Sequence, residues 1–261
     1  MFKGFNLCDL SPTQSFIDEY APYGVTLNLS LARPVQRALG EFATSGGVLD
    51  GSGLERNWFP QVKSQIFLSH SHGNEKVSMA LAGWIHQHFG LASFVDSGVW
   101  GYADELLETI DKEHCWNRAS RTYIYEHRNR STSYVHMMLS AALAKMINRT
   151  ECLIFLSTTE SLQWRDAVQR TQSPWIYSEL TFASLVETRI PDRLTKQKTL
   201  NEALNFSEKQ AGVVMDFEAD LARLTPITPN VLALWSDKYT KIYRPLRGHP
   251  LDALYQTASG K

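Results

Sequence analysis

The chain has 261 residues, 43% apolar and 20% charged, the composition of an ordinary globular protein. With 26 basic and 27 acidic residues its formal net charge is −1, so no global field recruits nucleic acid or an anionic membrane. No run approaches the ~20 continuous apolar residues of a membrane span, and the opening MFKGFNLCDLSP lacks the apolar stretch of a signal peptide. Cys8, Cys115 and Cys152 are too scattered for a disulfide framework or a cysteine-rich zinc site, so a cytoplasmic location is expected.

In the first sixty residues only 29–43 shows helical period, with Leu31, Val35, Leu39 and Phe42 on one face. TSGGVLDGSG then reads as loop. Residues 1–60 are therefore expected to form an N-terminal extension, partly helical, ahead of a domain over 61–245.

From Gln65 the pattern alternates. QIFLS is a short apolar strand, and NEKVSMALAGWIHQHF a helix with Val77, Leu81, Trp84 and His88 on one stripe. LASFVD is a second strand. YADELLETIDKEHCW is a second helix, in which Leu106, Ile110 and Glu113 or His114 recur at helical spacing. Residues 117–148 read as an insertion: a polar, arginine-rich segment followed by the apolar helix SYVHMMLSAALAKMI. ECLIFLST is a third strand, apolar enough to be covered on both faces. SPWIYSELTFASLVE is a helix opened by Ser173 as N-cap and Pro174 at its first position. GVVMDF (212–217) reads as a fourth strand, NVLALWSDKY as a last helix, and 246–261 as a ragged tail. Alternating strands and helices imply an α/β fold with a mainly parallel sheet. Ligands bind such sheets at the carboxyl ends of the strands, which points to Ser69, His70, Asp96 and Ser157.

Several constellations compete for the chemistry. His70-x-His72 suggests half of the H-x-H-x-D-H pattern of a binuclear metal site, but Gly73, Asn74 and Glu75 supply neither later ligand. His86-x-His88 on a helix would point its rings about 200° apart. No metal is expected. Ser69 and Ser71 flank His70 without a G-x-S-x-G elbow, and no phosphate-cradling glycine loop occurs. Arg118, Arg121, Arg128 and Arg130 alternate with Tyr123 and Tyr125. That pattern suits phosphate or single-stranded nucleic acid; the plainer account is a solvated surface, and nucleic acid is not expected as a partner. Trp175 and Glu179 lie i, i+4 on one helix face, as a core Trp beside a surface Glu also would.

Taken together, IFLSHSHGNE, FVDS, LIFLST and SPWIYSEL resemble a Toll/interleukin-1 receptor (TIR) domain. The first matches its opening strand box, D-V-F-I-S-Y/H, with Gln65 in place of the Asp. FVDS is similar to the second strand and VWGYADEL to the start of the BB loop. The W-x-x-x-E of Trp175 to Glu179 resembles the helix of NAD-cleaving TIR domains. The resemblance covers about 62–190 well and the last sheet units weakly, and is nearest to free-standing prokaryotic TIR proteins, including NAD-consuming sensors of Thoeris-type anti-phage systems. Compact TIR domains have little where this chain carries 117–148.

The resemblance implies a flavodoxin-like TIR fold with helices on both faces of the sheet, here with an N-terminal extension and an inserted helix. It implies Glu179 as the catalytic carboxylate, with Ser69, His70, Asp96, Ser97, Trp100 and Trp175 around NAD+. Trp100 and Tyr102 are expected to shield the pocket, and Trp175 either to wall the site or to support the core. It implies an NAD+ nucleosidase or ADP-ribosyl cyclase that needs no cofactor beyond its substrate. Assembly into a homo-oligomer, with residues 97–104 of a neighbour completing the site, and a separate effector activated by the nucleotide product are expected with it. One carboxylate suffices because nicotinamide leaves as a neutral molecule and needs no general acid, unlike the alkoxide of ordinary glycosides. The alternative is a non-catalytic TIR module that self-associates and docks partners. A nucleoside-transferring α/β enzyme shares the sheet but not the two boxes.

Overall fold

The computed structural model describes residues 1–260 apart from 33–34, 36, 45–47, 101–102, 159–160, 166–167 and 195–216. Five strands make one parallel sheet: β1 (Lys3–Leu7), β2 (Ile66–Ser69), β3 (Ser93–Phe94), β4 (Cys152–Leu156) and β5 (Leu224–Ile227), in the order β5-β1-β4-β2-β3. Counted from β2, this is the flavodoxin-like order 2-1-3-4-5 with its fourth place filled from the N-terminus. β4 is fully buried along its length, as its apolar run requires. The edges are blunt: β3 has two residues, and Pro226 in β5 is tolerated because no described residue pairs beyond it.

The helices are α1 (Gln14–Leu31), α2 (Gly51–Trp58), α3 (Glu75–Phe89), α4 (Asp96–Val99), α5 (Ala103–Ile110), α6 (Tyr125–Arg149), α7 (Pro174–Leu185), α8 (Pro229–Lys238) and α9 (Pro250–Ala258). Strand parity sorts the core into two. Phe67, Phe94, Leu153 and Phe155 face α2, α5, α6 and α7. Ile66, Leu68, Ile154 and Leu156 face α3, α8 and α9. A hairpin, Trp116–Asn117 with Thr122–Tyr123, and an antiparallel sheet of 163–165, 168–171 and 217–218 lie apart from the main sheet.

Four expectations are corrected. Residues 1–60 are not an extension: β1 hydrogen-bonds to β4 on one side and β5 on the other, inside the sheet. The helices there are α1 and α2, not 29–43: α1 stops at Leu31 with Ala32 extended, and α2 starts at Gly51, inside the stretch read as loop. The inserted helix is not confined to SYVHMMLSAALAKMI (133–147): α6 begins at Tyr125, within the arginine-rich segment, and runs to Arg149. The tail is ordered as α9, with His249 Nδ1 accepting from Leu251 N–H (3.3 Å), Pro250 at its start, and Leu251, Ala253 and Leu254 buried. Of the strand expected at 212–217, only Phe217 lies among the described residues, and it pairs with Thr171 in the small antiparallel sheet.

α1 meets α3 backbone to backbone. A Cβ on Gly24 would lie 1.9 Å from the Met79 carbonyl oxygen, and one on Gly83 2.0 Å from that of Tyr20. Only glycine allows this approach.

Candidate active site

β2 ends at Ser69, and the parity that sends Phe67 to the α7 face sends Ser69 there too. Its hydroxyl donates to Glu179 Oε2. Glu179 is in the second turn of α7, a helix whose start is set by Ser173 accepting from the Ile176 N–H (3.3 Å) and by Pro174. Ile176, Leu180 and Ala183 bury the same helix face, so the carboxyl is carried inward with them and is only 2% exposed. No cationic side chain pairs with it among the described residues.

His70 follows at the strand end. Its ring is buried, with Nδ1 3.6 Å from Asp96 Oδ1 and Nε2 3.3 Å from Ser97 Oγ. Asp96 and Ser97 open α4 directly after β3. The structure thus gathers Ser69, Glu179, His70, Asp96 and Ser97 at the carboxyl ends of neighbouring strands. His72 is exposed in the turn beyond. Trp100 is only 4% exposed and lies in the core: its indole donates to the Pro60 carbonyl (3.2 Å) and its ring sits edge-on to Phe94 and Phe59. Trp175, half-buried, packs edge-on to His136 of α6 (ring centroids 5.5 Å apart). Tyr102 lies outside the described residues.

The electrostatics of the cluster favour positive charge. Burial pushes the Glu179 carboxyl well above the usual carboxylate range, and the neighbouring Asp96 pushes it further, while the Ser69 hydrogen bond opposes both. Asp96 is also raised, first by desolvation and then by Glu75; His70 and the backbone N–H groups of Ser97 and Asp96 act the other way. A third of the Asp96 side chain still reaches solvent, so Glu179 is the more strongly displaced of the two. A cation bound between them would return both to the ionised form. Among the described residues no three His, Cys, Asp or Glu gather as a metal-ligand set.

Two residues that hold this cluster carry no motif. Asn28 of α1 donates from Nδ2 to the Gly24 carbonyl (3.0 Å) and accepts the Val95 N–H on Oδ1 (3.1 Å), fixing the backbone just before Asp96. Asn74 donates to Thr158 Oγ1 (2.7 Å) and to Ser71 Oγ, tying the loop after β2 to the loop after β4. A buried Asn and an Asn beside a glycine turn are the only sequence signals they offer. No protein-family model, curated protein or solved structure matches the chain.

Proposed function

We propose that the chain is a TIR-type enzyme that cleaves the bond between nicotinamide and ribose in NAD+. The observation that carries this reading is Glu179: a buried carboxyl at the carboxyl edge of a flavodoxin-like sheet, beside a second carboxyl and with no cation paired to it among the described residues. The positive pyridinium of NAD+ is a ligand of the right sign, and its arrival favours loss of the Glu179 proton to solvent. The C1′–N bond then breaks with its electron pair passing to the nicotinamide nitrogen, which leaves neutral. The ionised Glu179 stabilises the cationic ribosyl carbon left behind. Attack by water gives ADP-ribose and a proton; attack by an internal nucleophile gives a cyclic product, and by a foreign base or amine a conjugate. Ser69 orients the carboxylate, and His70 holds Asp96 and Ser97 at the rim.

Access to Glu179 requires movement of the surrounding loops, since only 2% of the residue is exposed in the single chain. That supports activity gated by assembly, with residues 97–104 of a neighbouring copy entering the site. In this reading the enzyme works in the cytoplasm; no described helix is long and apolar enough to cross a membrane. It consumes NAD+ or makes a nucleotide signal for a separate effector, in defence against phage. The same burial favours a second reading, a non-catalytic module in which Glu179 is structural.

The test is incubation of the purified chain with NAD+, alone and with lysate of phage-infected cells, followed by mass spectrometry of the nucleotides. Free nicotinamide with a matching ribosyl product is expected. Intact NAD+ and no new nucleotide under both conditions would leave the module reading in its place.

A further inference from the structure

The insertion builds a second concavity, remote in sequence from the residues around Glu179. A cleft of about 650 Å³ opens between residues 48–54 on one side and the end of α5, the turn after it and α6 on the other, a size within the range of small-molecule sites. Its floor is apolar, from Leu49, Leu54, Ile110 and Met138. The turn, Asp111–Cys115, is a π-helical one, a departure from regular α-helix that often marks functional sites.

His114, His127 and Arg130 line the cleft, and among the described residues no carboxylate does. Asp111, beside the floor residue Ile110, faces Arg128 Nε at 2.8 Å and the Ser131 hydroxyl, and Asp50, Glu113 and Glu126, each next in sequence to a lining residue, are not among the residues that line the cleft. Arg130 makes no ion pair among the described residues. The His127 ring is held by donating from Nδ1 to the His114 carbonyl (3.3 Å). Beside these groups Tyr134 and Met137 are 59% and 68% exposed, a large apolar surface to leave in water and a good surface for a flat ring. A guanidinium with two imidazoles suits a phosphate. An apolar floor with Tyr and Met beside it suits the base.

We infer that this cleft binds a nucleotide, its phosphate on Arg130 and the two histidines and its base against Tyr134 and Met137. The site is independent of the reaction proposed for Glu179. It also gives Arg130 of the arginine-rich segment a role other than binding single-stranded nucleic acid, since this one arginine of the four lines a cleft of mononucleotide size.

Calorimetric titration of the full chain with AMP, GMP, CMP and UMP at low salt tests the proposal, with adenosine and inorganic phosphate as partial ligands. At least one mononucleotide should bind at one site per chain, and both partial ligands about tenfold or more weaker. Arg130→Ala and Met137→Glu, both at exposed positions, should each weaken binding about tenfold or more, while Glu179→Gln binds as the unmodified chain does. The proposal is overturned if none of the four saturates the protein below about 1 mM, weaker than most specific ligand sites. It is equally overturned if both cleft variants bind normally, or if Glu179→Gln is the variant that loses binding.

Discussion

Asp111 and Glu179 are both acids withdrawn from solvent, 4% and 2% exposed, and the chain treats them in opposite ways. Asp111 receives the Arg128 guanidinium and the Ser131 hydroxyl; burial works against its charge, but these hydrogen bonds outweigh it and hold the carboxyl below its ordinary range. Glu179 receives one hydroxyl and a like-charged neighbour, and its carboxyl is driven up. A charge answered inside the chain fastens structure, here the π turn after α5 to α6. A carboxyl left without a cation costs stability in the free protein, and that cost is relieved when a cation arrives. The difference fits Asp111 as a structural group and supports the proposal that Glu179 is a site.

The largest effect should come from removing the ionisable group at the site. Glu179→Gln keeps the shape and can still accept from Ser69, so the protein should fold and assemble. NAD+ cleavage should fall ~100-fold or more, about 3 kcal/mol of lost stabilisation of the ribosyl cation. Glu187→Gln, on the segment beyond α7, should keep full turnover. Normal turnover by a folded Glu179→Gln would reduce the W-x-x-x-E likeness to a structural one.

The converse change at the structural acid should cost folding. Asp111→Ala leaves the Ser131 hydroxyl without its charged acceptor and releases Arg128, whose half-exposed side chain regains water. About 2 kcal/mol of stability should be lost, read by denaturant unfolding. An unchanged midpoint would mean that the pair contributes nothing and that the comparison with Glu179 fails on this side.

The two acids should also respond to pH with opposite signs. Asp111, lowered, contributes stability that is present above the ordinary carboxylate pKa and lost as pH falls through its own lower value. Glu179, raised, contributes stability that is present below the ordinary value and lost as pH rises through its higher one. Glu179→Gln should therefore gain on the unmodified chain as pH rises above about 5, by about 1.4 kcal/mol per unit until the raised pKa is passed. Asp111→Asn should be most costly at neutral pH and least below pH ~4. Thermal melts of both variants across that range measure this directly, and parallel curves would show that Glu179 is already ionised in the free protein.

How much of this was legible in the sequence depended on how local each signal is. β2, β4 and α7 are read from runs of apolar residues and from the Ser173-Pro174 start, features that act within a few residues. Glu179 is read only through its spacing from Trp175, and its contact with Ser69 adds strand parity to that. β1 is not legible: KGFNL is five residues with a Gly and a Lys, and its partners in β4 and β5 lie some 150 and 220 residues on. α1 is hidden by Pro22 and Gly24, two poor helix formers, although Gly24 is needed where α1 crosses α3. Asn28 could not be found because its partner is the backbone N–H of Val95, 67 residues away. Trp100 reads as a pocket wall from its place after FVDS, yet the chain turns back there and packs the ring against Phe94.

The smallest effects separate the two hydroxyls. Ser131 donates to an ionised carboxylate that also has Arg128, so Ser131→Ala should cost about 1 kcal/mol of stability and leave NAD+ turnover unchanged. Among the described residues Ser69 is the one group that lowers the Glu179 pKa, so Ser69→Ala should drive that carboxyl still higher. In the proposed reaction the ionised form is the active one, so kcat/KM should rise with pH through the free-enzyme pKa of Glu179 and level off above it. In Ser69→Ala that rise should move to higher pH while the plateau changes little, since the hydroxyl sets how readily the carboxyl ionises rather than what it does once ionised. Stability should change by less than about 1 kcal/mol at neutral pH, because the bond lost is to a carboxyl carrying its proton. A uniform loss of activity at every pH, with the rise unmoved, would instead make Ser69 a support for the fold around Glu179 and not a control on its charge.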